Sequence, residues 1–310
     1  MSLLSFRFLF PFALSVLFAV ASPAAAAVNI VASIPDLADM ARIIGGDQVR
    51  VTSLATGRED LHAVPVRPSF IPKINRADLL LNLGYDAEHA WLPALAKEAR
   101  NRRVMEGGAG WIEVGEGVPI LERPEKWDRS EGHQHPLGNP HFNVGPHAGR
   151  IMAQNIAQAL IQFDPENESA YRDRLNRYLE TLSGLEAELR EKGAPLRGQK
   201  IVAFHPDVAY LCQFYGMEKV GSIEPKPGIQ PTGRHLESLA GRMNEENVRL
   251  ILYNQAQNAR LPERLARETG ARAVEFANAV GAKPDIDSWI ELQRYNLDRL
   301  LAALPESESP

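Results

Sequence analysis

Short apolar runs alternate with amphipathic stretches along most of the chain. In the first half, the runs "NIVAS", "QVRVTSL" and "ADLLLNLG" alternate with polar loops or with segments of helical periodicity. The pattern pauses over residues 105–146, where Gly, Pro and charged residues dominate, and returns after Gly193 with "KIVAF", "EKVGSI", "VRLILY" and "ARAVEF". Such alternation is typical of parallel strands covered by helices. The sequence therefore predicts an α/β protein with two parallel sheets.

One long amphipathic segment lies between the two halves. Asp164 and Pro165 have the pattern of an N-cap and a first helical residue, and Gly193 that of a stop. The apolar residues between them form one helical stripe: Tyr171, Leu175, Tyr178, Leu182, Leu185 and Leu189. A helix of this length spans about 42 Å. We predict two Rossmann-like lobes, residues 28–163 and 194–310, joined by a long rigid helix over residues 164–193.

The N-terminal residues have the pattern of a cleaved secretory signal. A single Arg7 precedes an apolar run over residues 8–20, and small residues follow as far as Ala27. The run is shorter than the roughly 20 residues that a membrane span needs. No cysteine follows it that would carry a lipid anchor. We predict a signal peptide over residues 1–27 and a periplasmic protein.

Composition narrows the possible functions. The formal net charge is −5, so nothing indicates a nucleic-acid partner. Cys212 is the only cysteine, which excludes an intramolecular disulfide framework. The sequence contains no His-Glu-x-x-His helix, no Gly-x-Ser-x-Gly turn and no Gly-rich phosphate loop. We expect a monomer that is not an enzyme.

Three histidines fall in loops where a ligand site is expected. His205 directly follows "KIVAF", His62 lies in the loop after "VRVTSL", and His141 lies in "GNPHF" before a predicted helix. Ligands of open parallel sheets bind at the carboxyl ends of the strands, so the three side chains are expected to meet between the lobes. Three imidazoles suit Zn²⁺, Cu²⁺ or Ni²⁺ and leave a tetrahedral Zn²⁺ one further donor or a water.

The sequence resembles the metal solute-binding proteins of ABC importers, the periplasmic zinc and manganese receptors. The resemblance rests on five segments: "VASIPDLADMARIIGGDQVRVTSLATG", "RADLLLNLGYDAEHAWLPAL", "GNPHF", "VAFHPDVAYLCQFYGM" and "EENVRLILYNQAQNARLPERLARETGARAV". It implies that His62, His141 and His205 bind the metal, which an inner-membrane ABC permease then accepts. Manganese receptors usually have Glu at the third position, so His205 favours Zn²⁺ over Mn²⁺.

Two residues are candidates for a fourth donor. "DRSEGHQHPLGNPHF" and "VGSIEPKPGIQP" resemble a subgroup of these receptors in which a histidine precedes the second ligand loop and a Glu-Pro-Lys-Pro segment follows a strand of the second lobe. His135 is therefore either a ligand or, with His133, part of a loop that captures metal and passes it inward. Glu224 is either a ligand or an acceptor that orients a histidine N–H.

The chain also departs from the family pattern at three positions. Relatives often have carboxylates where this sequence has Gly145, Asn254 and Asn278. Their loss leaves the expected site more positive and its affinity and metal preference open.

Two other functions fit the same histidines. A mononuclear zinc hydrolase would use three imidazoles and a metal-bound water. A periplasmic metal chaperone or buffer would have the same site and no permease partner.

Overall fold

The computed structural model describes residues 27–124, 135–226 and 228–305. The predicted signal peptide, except for its last residue, and His133 lie outside the described residues. Across the described ranges, none of the helices combines the length and the apolar character that a membrane crossing requires.

Two four-stranded parallel sheets form the framework of the molecule. The first has the strand order β2-β1-β3-β4 and the second the order β6-β5-β7-β8. The strands are β1 Val28–Ala32, β2 Val49–Ser53, β3 Leu79–Asn82, β4 Trp111–Glu113, β5 Lys200–Ala203, β6 Glu218–Ser222, β7 Leu250–Asn254 and β8 Arg272–Phe276. The same order in both halves confirms the predicted α/β fold of two lobes.

Helices cover the faces of both sheets. The first lobe contains α1 Pro35–Gly45, α2 Phe70–Asn75, α3 Leu92–Glu98 and α4 Ala148–Phe163. The connecting helix is α5 Glu168–Lys192, and the second lobe contains α6 Ala209–Tyr215, α7 Gly233–Glu245, α8 Arg260–Thr269 and α9 Trp289–Ala302. All four residues of β3, with the sequence "LLLN", are buried, as is typical of a parallel strand with helices on both faces of its sheet.

The connecting helix starts with a turn of 3-10 geometry. Residues Pro165–Asn167 form a 3-10 turn, and α5 then runs for 25 residues. The Asp164 carboxylate forms no capping bond to a backbone N–H. Its Oδ2 accepts hydrogen bonds from Tyr171 Oη at 2.6 Å and Asn167 Nδ2 at 2.8 Å. The helical turns thus start at Pro165, directly after Asp164, and α5 ends at Lys192 before Gly193.

Hydrogen bonds, an ion pair and apolar packing connect both lobes to α5. Arg174 donates hydrogen bonds to the carbonyl oxygens of Ile44 and Gly45 at the end of α1, at 2.7 and 2.8 Å. Glu188 forms an ion pair with Arg294 of α9 at 2.7 Å. The buried stripe of α5 consists of Tyr171, Tyr178, Leu182, Leu185 and Leu189. Because one hydrophobic cluster includes this stripe and residues of both lobes, α5 is part of a continuous core.

Candidate metal centre

His62 is held by a short turn after β2. Its backbone N–H donates to the Asp60 carboxylate at 2.9 Å, and Trp91 Nε1 donates to the carbonyl of Leu61 at 3.0 Å. The His62 ring is buried, and its Nδ1 lies 2.9 Å from the carbonyl oxygen of Ala87. Since a carbonyl only accepts, Nδ1 carries the proton and Nε2 has a free lone pair.

His141 meets this lone pair from a different segment. Its Nε2 lies 3.0 Å from Nε2 of His62, and the residue is also buried. The backbone N–H of His141 donates to Oδ1 of Asn139 at 3.0 Å, which fixes the turn that presents the ring.

His205 completes the predicted set from the second lobe. It lies two residues after the end of β5, and its ring centroid lies 5.3 Å from that of His141 and 5.9 Å from that of His62. Its Nδ1 lies 2.8 Å from Oε2 of Glu224, which also accepts the backbone N–H of Gly228 at 3.0 Å. This bond leaves Nε2 of His205 for a ligand. The structure thus brings all three predicted histidines together.

His135 lies on the other side of the cluster. Its ring centroid is 4.6 Å from that of His62, and ligand atoms of His62, His135 and His141 all lie within 4.8 Å of one another. Glu224 does not point a free carboxylate at this cluster. Its Oε2 contacts Nδ1 of His205, the ring nitrogen on the side away from the other histidines. His62 and the single loop that carries both His135 and His141 thus form one group, and the His205 ring approaches His62 and His141 from the second lobe.

Burial keeps two of these rings neutral. It lowers the pKa of His62 to about 4, and it lowers the pKa of His141 well below the ordinary 6.5. Burial also acts to lower the pKa of His205, but the hydrogen bond to Glu224 and the charges of nearby carboxylates, Asp207 among them, outweigh it and raise that pKa. Neutral imidazole is the form that binds metal, so His62 and His141 are already in that form at neutral pH.

Gly145, Asn254 and Asn278 each lie against neighbouring side chains in the structure. A Cβ atom at Gly145 would lie 2.6 Å from Cβ of Tyr210, so the packing there excludes a carboxylate. Asn254 donates from Nδ2 to Asp207 at 2.6 Å. Asn278 accepts a hydrogen bond at Oδ1 from Gln255. Both amides are thus engaged with neighbouring side chains, and Asp207 and Glu224 supply negative charge near His205.

Sequence reasoning missed a buried polar network beside the histidines. Asp36 of α1 accepts from Nδ2 of Asn143 and from the backbone N–H of Val280, both at 3.1 Å. The carbonyl of Asn143 accepts from Nε1 of Trp289 at 2.8 Å. These residues are far apart in the sequence and meet only in the folded chain. The one local signal is the "GNPHFN" motif, in which Asn143 lies two residues after His141.

Comparison with known proteins places the chain in a family of metal-transport proteins. Residues 30–303 match a family model described as "Zinc-uptake complex component A periplasmic", ZnuA. The chain belongs to this family. The predicted resemblance to metal solute-binding proteins of ABC importers is therefore confirmed, and the family description names a periplasmic component, as the sequence predicts.

Relatives within the family carry the names of different metals. The chain is 25% identical over 284 residues to the manganese ABC transporter substrate-binding lipoprotein ScaA of Streptococcus gordonii, covering 89% of this chain and 88% of ScaA. It is 23% identical over 248 residues to the high-affinity zinc uptake system protein ZnuA of Bacillus subtilis, covering 76% and 75%.

Solved structures show the same fold. A zinc-bound deletion mutant of ZnuA superposes with a TM-score of 0.74 at 26% identity, covering 92% of this chain and all of that one. FpvC of Pseudomonas aeruginosa, in complex with Mn²⁺, superposes equally well at 20% identity, with 89% and 98% covered. Family membership thus establishes a metal-transport binding protein, and the choice of metal depends on the site.

Proposed function

We propose that this protein captures Zn²⁺ between its lobes and delivers it to an ABC permease. The observation that carries the proposal is the group formed by His62, His135 and His141, whose ligand atoms lie within 4.8 Å of one another, with the ring of His205 5.9 Å from that of His62. Nε2 of His62 and Nε2 of His141 share a hydrogen bond at 3.0 Å, and a metal ion would bind both atoms in place of the shared proton.

In this proposal His62, His141 and His205 are ligands and His135 is the fourth donor. The Nδ1 atoms of His62 and His205 are each occupied by an oxygen acceptor, which directs both Nε2 atoms inward. Glu224 acts as the acceptor that fixes the tautomer of His205 and raises its basicity, as carboxylates commonly do behind metal-bound histidines.

The donor set favours Zn²⁺ over Mn²⁺. Imidazole nitrogen suits Zn²⁺, whereas Mn²⁺ binds best to carboxylate, carbonyl and water oxygens. Four nitrogen ligands also match the tetrahedral geometry that Zn²⁺ adopts in closed sites. Family membership supports delivery to a permease, because relatives are named substrate-binding proteins of metal ABC transporters.

Metal analysis tests this function. The metal-free protein is dialysed against equal concentrations of Zn²⁺ and Mn²⁺, and bound metal is measured after washing. We expect one Zn²⁺ per chain and little Mn²⁺. Equal or preferential Mn²⁺ retention would reject the zinc assignment, and absence of both metals would reject the site.

Two alternatives make different demands on the same site. A hydrolase needs an open coordination position for water, whereas four imidazoles close a tetrahedral shell. A chaperone or buffer needs no transporter. Uptake of radioactive zinc by vesicles that contain the partner permease distinguishes a receptor from a chaperone or buffer. We expect this protein to stimulate uptake, whereas a chaperone would not.

A further inference from the structure

One asparagine connects the loops of His141 and His205 across the lobe boundary. Asn139 is buried, at 6% exposed, and lies two residues before His141. Its Oδ1 accepts the backbone N–H of His141 at 3.0 Å. Its Nδ2 donates to the carbonyl of Pro206 at 2.6 Å, directly after His205. A single planar amide therefore touches the backbone beside both histidines.

Further hydrogen bonds to its side chain and its backbone hold Asn139 in place. Nδ2 of Asn139 also donates to Oε2 of Glu122 at 2.8 Å. Its backbone carbonyl accepts from Tyr210 Oη at 2.7 Å, and its backbone N–H donates to Leu121 at 2.9 Å. Every polar group of Asn139 thus has a partner, which is costly to disturb at a buried site.

Glu122 provides a second link between the lobes. Its other carboxylate oxygen pairs with the ammonium group of Lys219 on β6 in the second lobe. The connection runs from Lys219 through Glu122 and Asn139 to the backbone of His141. It therefore joins the second sheet to a loop of the first lobe without involving any imidazole.

We propose that Asn139 is a positioning residue that sets the distance between His141 and His205 and thereby the affinity for the metal. This inference rests on the proposed function, because it assumes that both imidazoles bind one ion. Asn139 does not touch the metal. It acts through the two backbone segments that carry the ligands, so that the rings from different lobes are in place before an ion arrives.

Two substitutions separate the local turn from the link between lobes. In Asn139→Asp and Asn139→Ser, the side-chain oxygen still accepts the N–H of His141, but the Nδ2 group that reaches Pro206 is lost. The hydroxyl of serine is one atom shorter than this amide and cannot make both bonds at once. The carboxylate of Asn139→Asp also faces the Glu122 carboxylate. Asn139→Ser adds no charge and is small, so it remains usable if the aspartate variant does not fold.

Asn155 supplies a matched control. It lies on α4, and its Nδ2 also donates to two carbonyls, those of Val114 at 2.9 Å and Glu116 at 2.8 Å. Both partners lie in the first lobe. Asn155→Asp and Asn155→Ser remove the same kind of bonds without affecting the link to Pro206.

The test combines zinc competition titration, Co²⁺ absorption and thermal unfolding of the full chain. We expect the Asn139 variants to bind Zn²⁺ about 10- to 100-fold more weakly, as is common when a group that orients a ligand is lost, and to change the Co²⁺ spectrum. The Asn155 variants should lower the Tm and keep both the affinity and the spectrum. Affinity within twofold of the parent in both Asn139 variants, or an equal loss in the Asn155 variants, would overturn the inference.

The two proposals fail in different ways. If His141→Ala weakens zinc binding and the Asn139 variants do not, the site exists and only the positioning role is wrong. If His141→Ala binds zinc like the parent, the proposed function fails first.

Discussion

The Nε2 atoms of His62 and His141 lie 3.0 Å apart although 79 positions separate the residues in the chain. In a tetrahedral site with Zn–N bonds of 2.0–2.1 Å, two such atoms are about 3.4 Å apart. The rings therefore need to separate by only a few tenths of an ångström for an ion to enter between them. This pair of rings is close to its binding geometry, which reduces the conformational cost of capture.

Substitution of each predicted ligand tests the set individually. We expect His62→Ala, His141→Ala and His205→Ala each to weaken Zn²⁺ binding by at least about tenfold, because each removes a direct nitrogen donor. Competition titration with a chromophoric chelator measures the change. His235→Ala is the control, since the His235 ring bonds the carbonyl of Ser222. A variant with parental affinity would remove that histidine from the ligand set.

His135 distinguishes a ligand from a capturing residue. If it is the fourth donor, His135→Ala lowers the equilibrium affinity by about tenfold or more and increases the dissociation rate. Stopped-flow measurements of zinc loading and release give both rates. A slower loading rate with an unchanged equilibrium constant would instead assign His135 to capture.

Glu224 acts on zinc through the ring of His205. Glu224→Gln keeps an oxygen acceptor for Nδ1 and removes the charge, while Glu224→Ala removes both. We expect zinc affinity to fall in the order parent, Gln, Ala, with about a 10- to 100-fold loss for Ala. Glu275→Gln is the control. Glu275 forms an ion pair with Lys283, and the bonds described for it include none to the four histidines. Equal affinity of the parent and Glu224→Ala would contradict this role.

Asp36 makes stability depend on pH. Burial raises its pKa to about 7 from the ordinary 3.8, so the folded state holds the proton more tightly than the unfolded state. Its contribution to stability is complete below about pH 4 and is lost as the pH rises through about 7. The full shift corresponds to at most about 4 kcal/mol.

Asp36→Asn removes this titration and keeps the shape of the side chain. Between pH 5 and pH 8, we expect the parent to lose stability relative to this variant, as measured by urea unfolding. Other buried carboxyls, such as Glu88, titrate equally in both proteins and cancel in the difference. Parallel stability curves over this range would show that Asp36 does not titrate there.

The sequence predicted the elements whose pattern is local. Hydrophobic periodicity was sufficient to predict seven strands and α5. Apolar runs and helical stripes are patterns of neighbouring residues, so they can be recognised without knowledge of the fold. The three-residue strand β4 was missed, since "WIE" carries too few alternations to be recognised. The 3-10 form of the turn at Pro165–Asn167 and the hydrogen bond from Tyr171 to Asp164 were not predicted.

The site was predictable only in part for the same reason. The positions of His62 and His205 after strands, and of His141 before a helix, indicate a common location. Their partners do not follow from local sequence: the contact of Glu224 with Nδ1 of His205 and the link from Asn139 to Pro206 join segments 19 and 67 residues apart. Buried polar networks of this kind have no periodic signature.

A crystal structure of the zinc-loaded protein, with anomalous data at the zinc edge, tests the central claim most directly. We predict one anomalous peak between the lobes, with Nε2 of His62 and His205 and imidazole nitrogens of His141 and His135 at about 2.0–2.1 Å. A peak outside this cluster, or an ion held there by fewer than three imidazoles, would contradict the account.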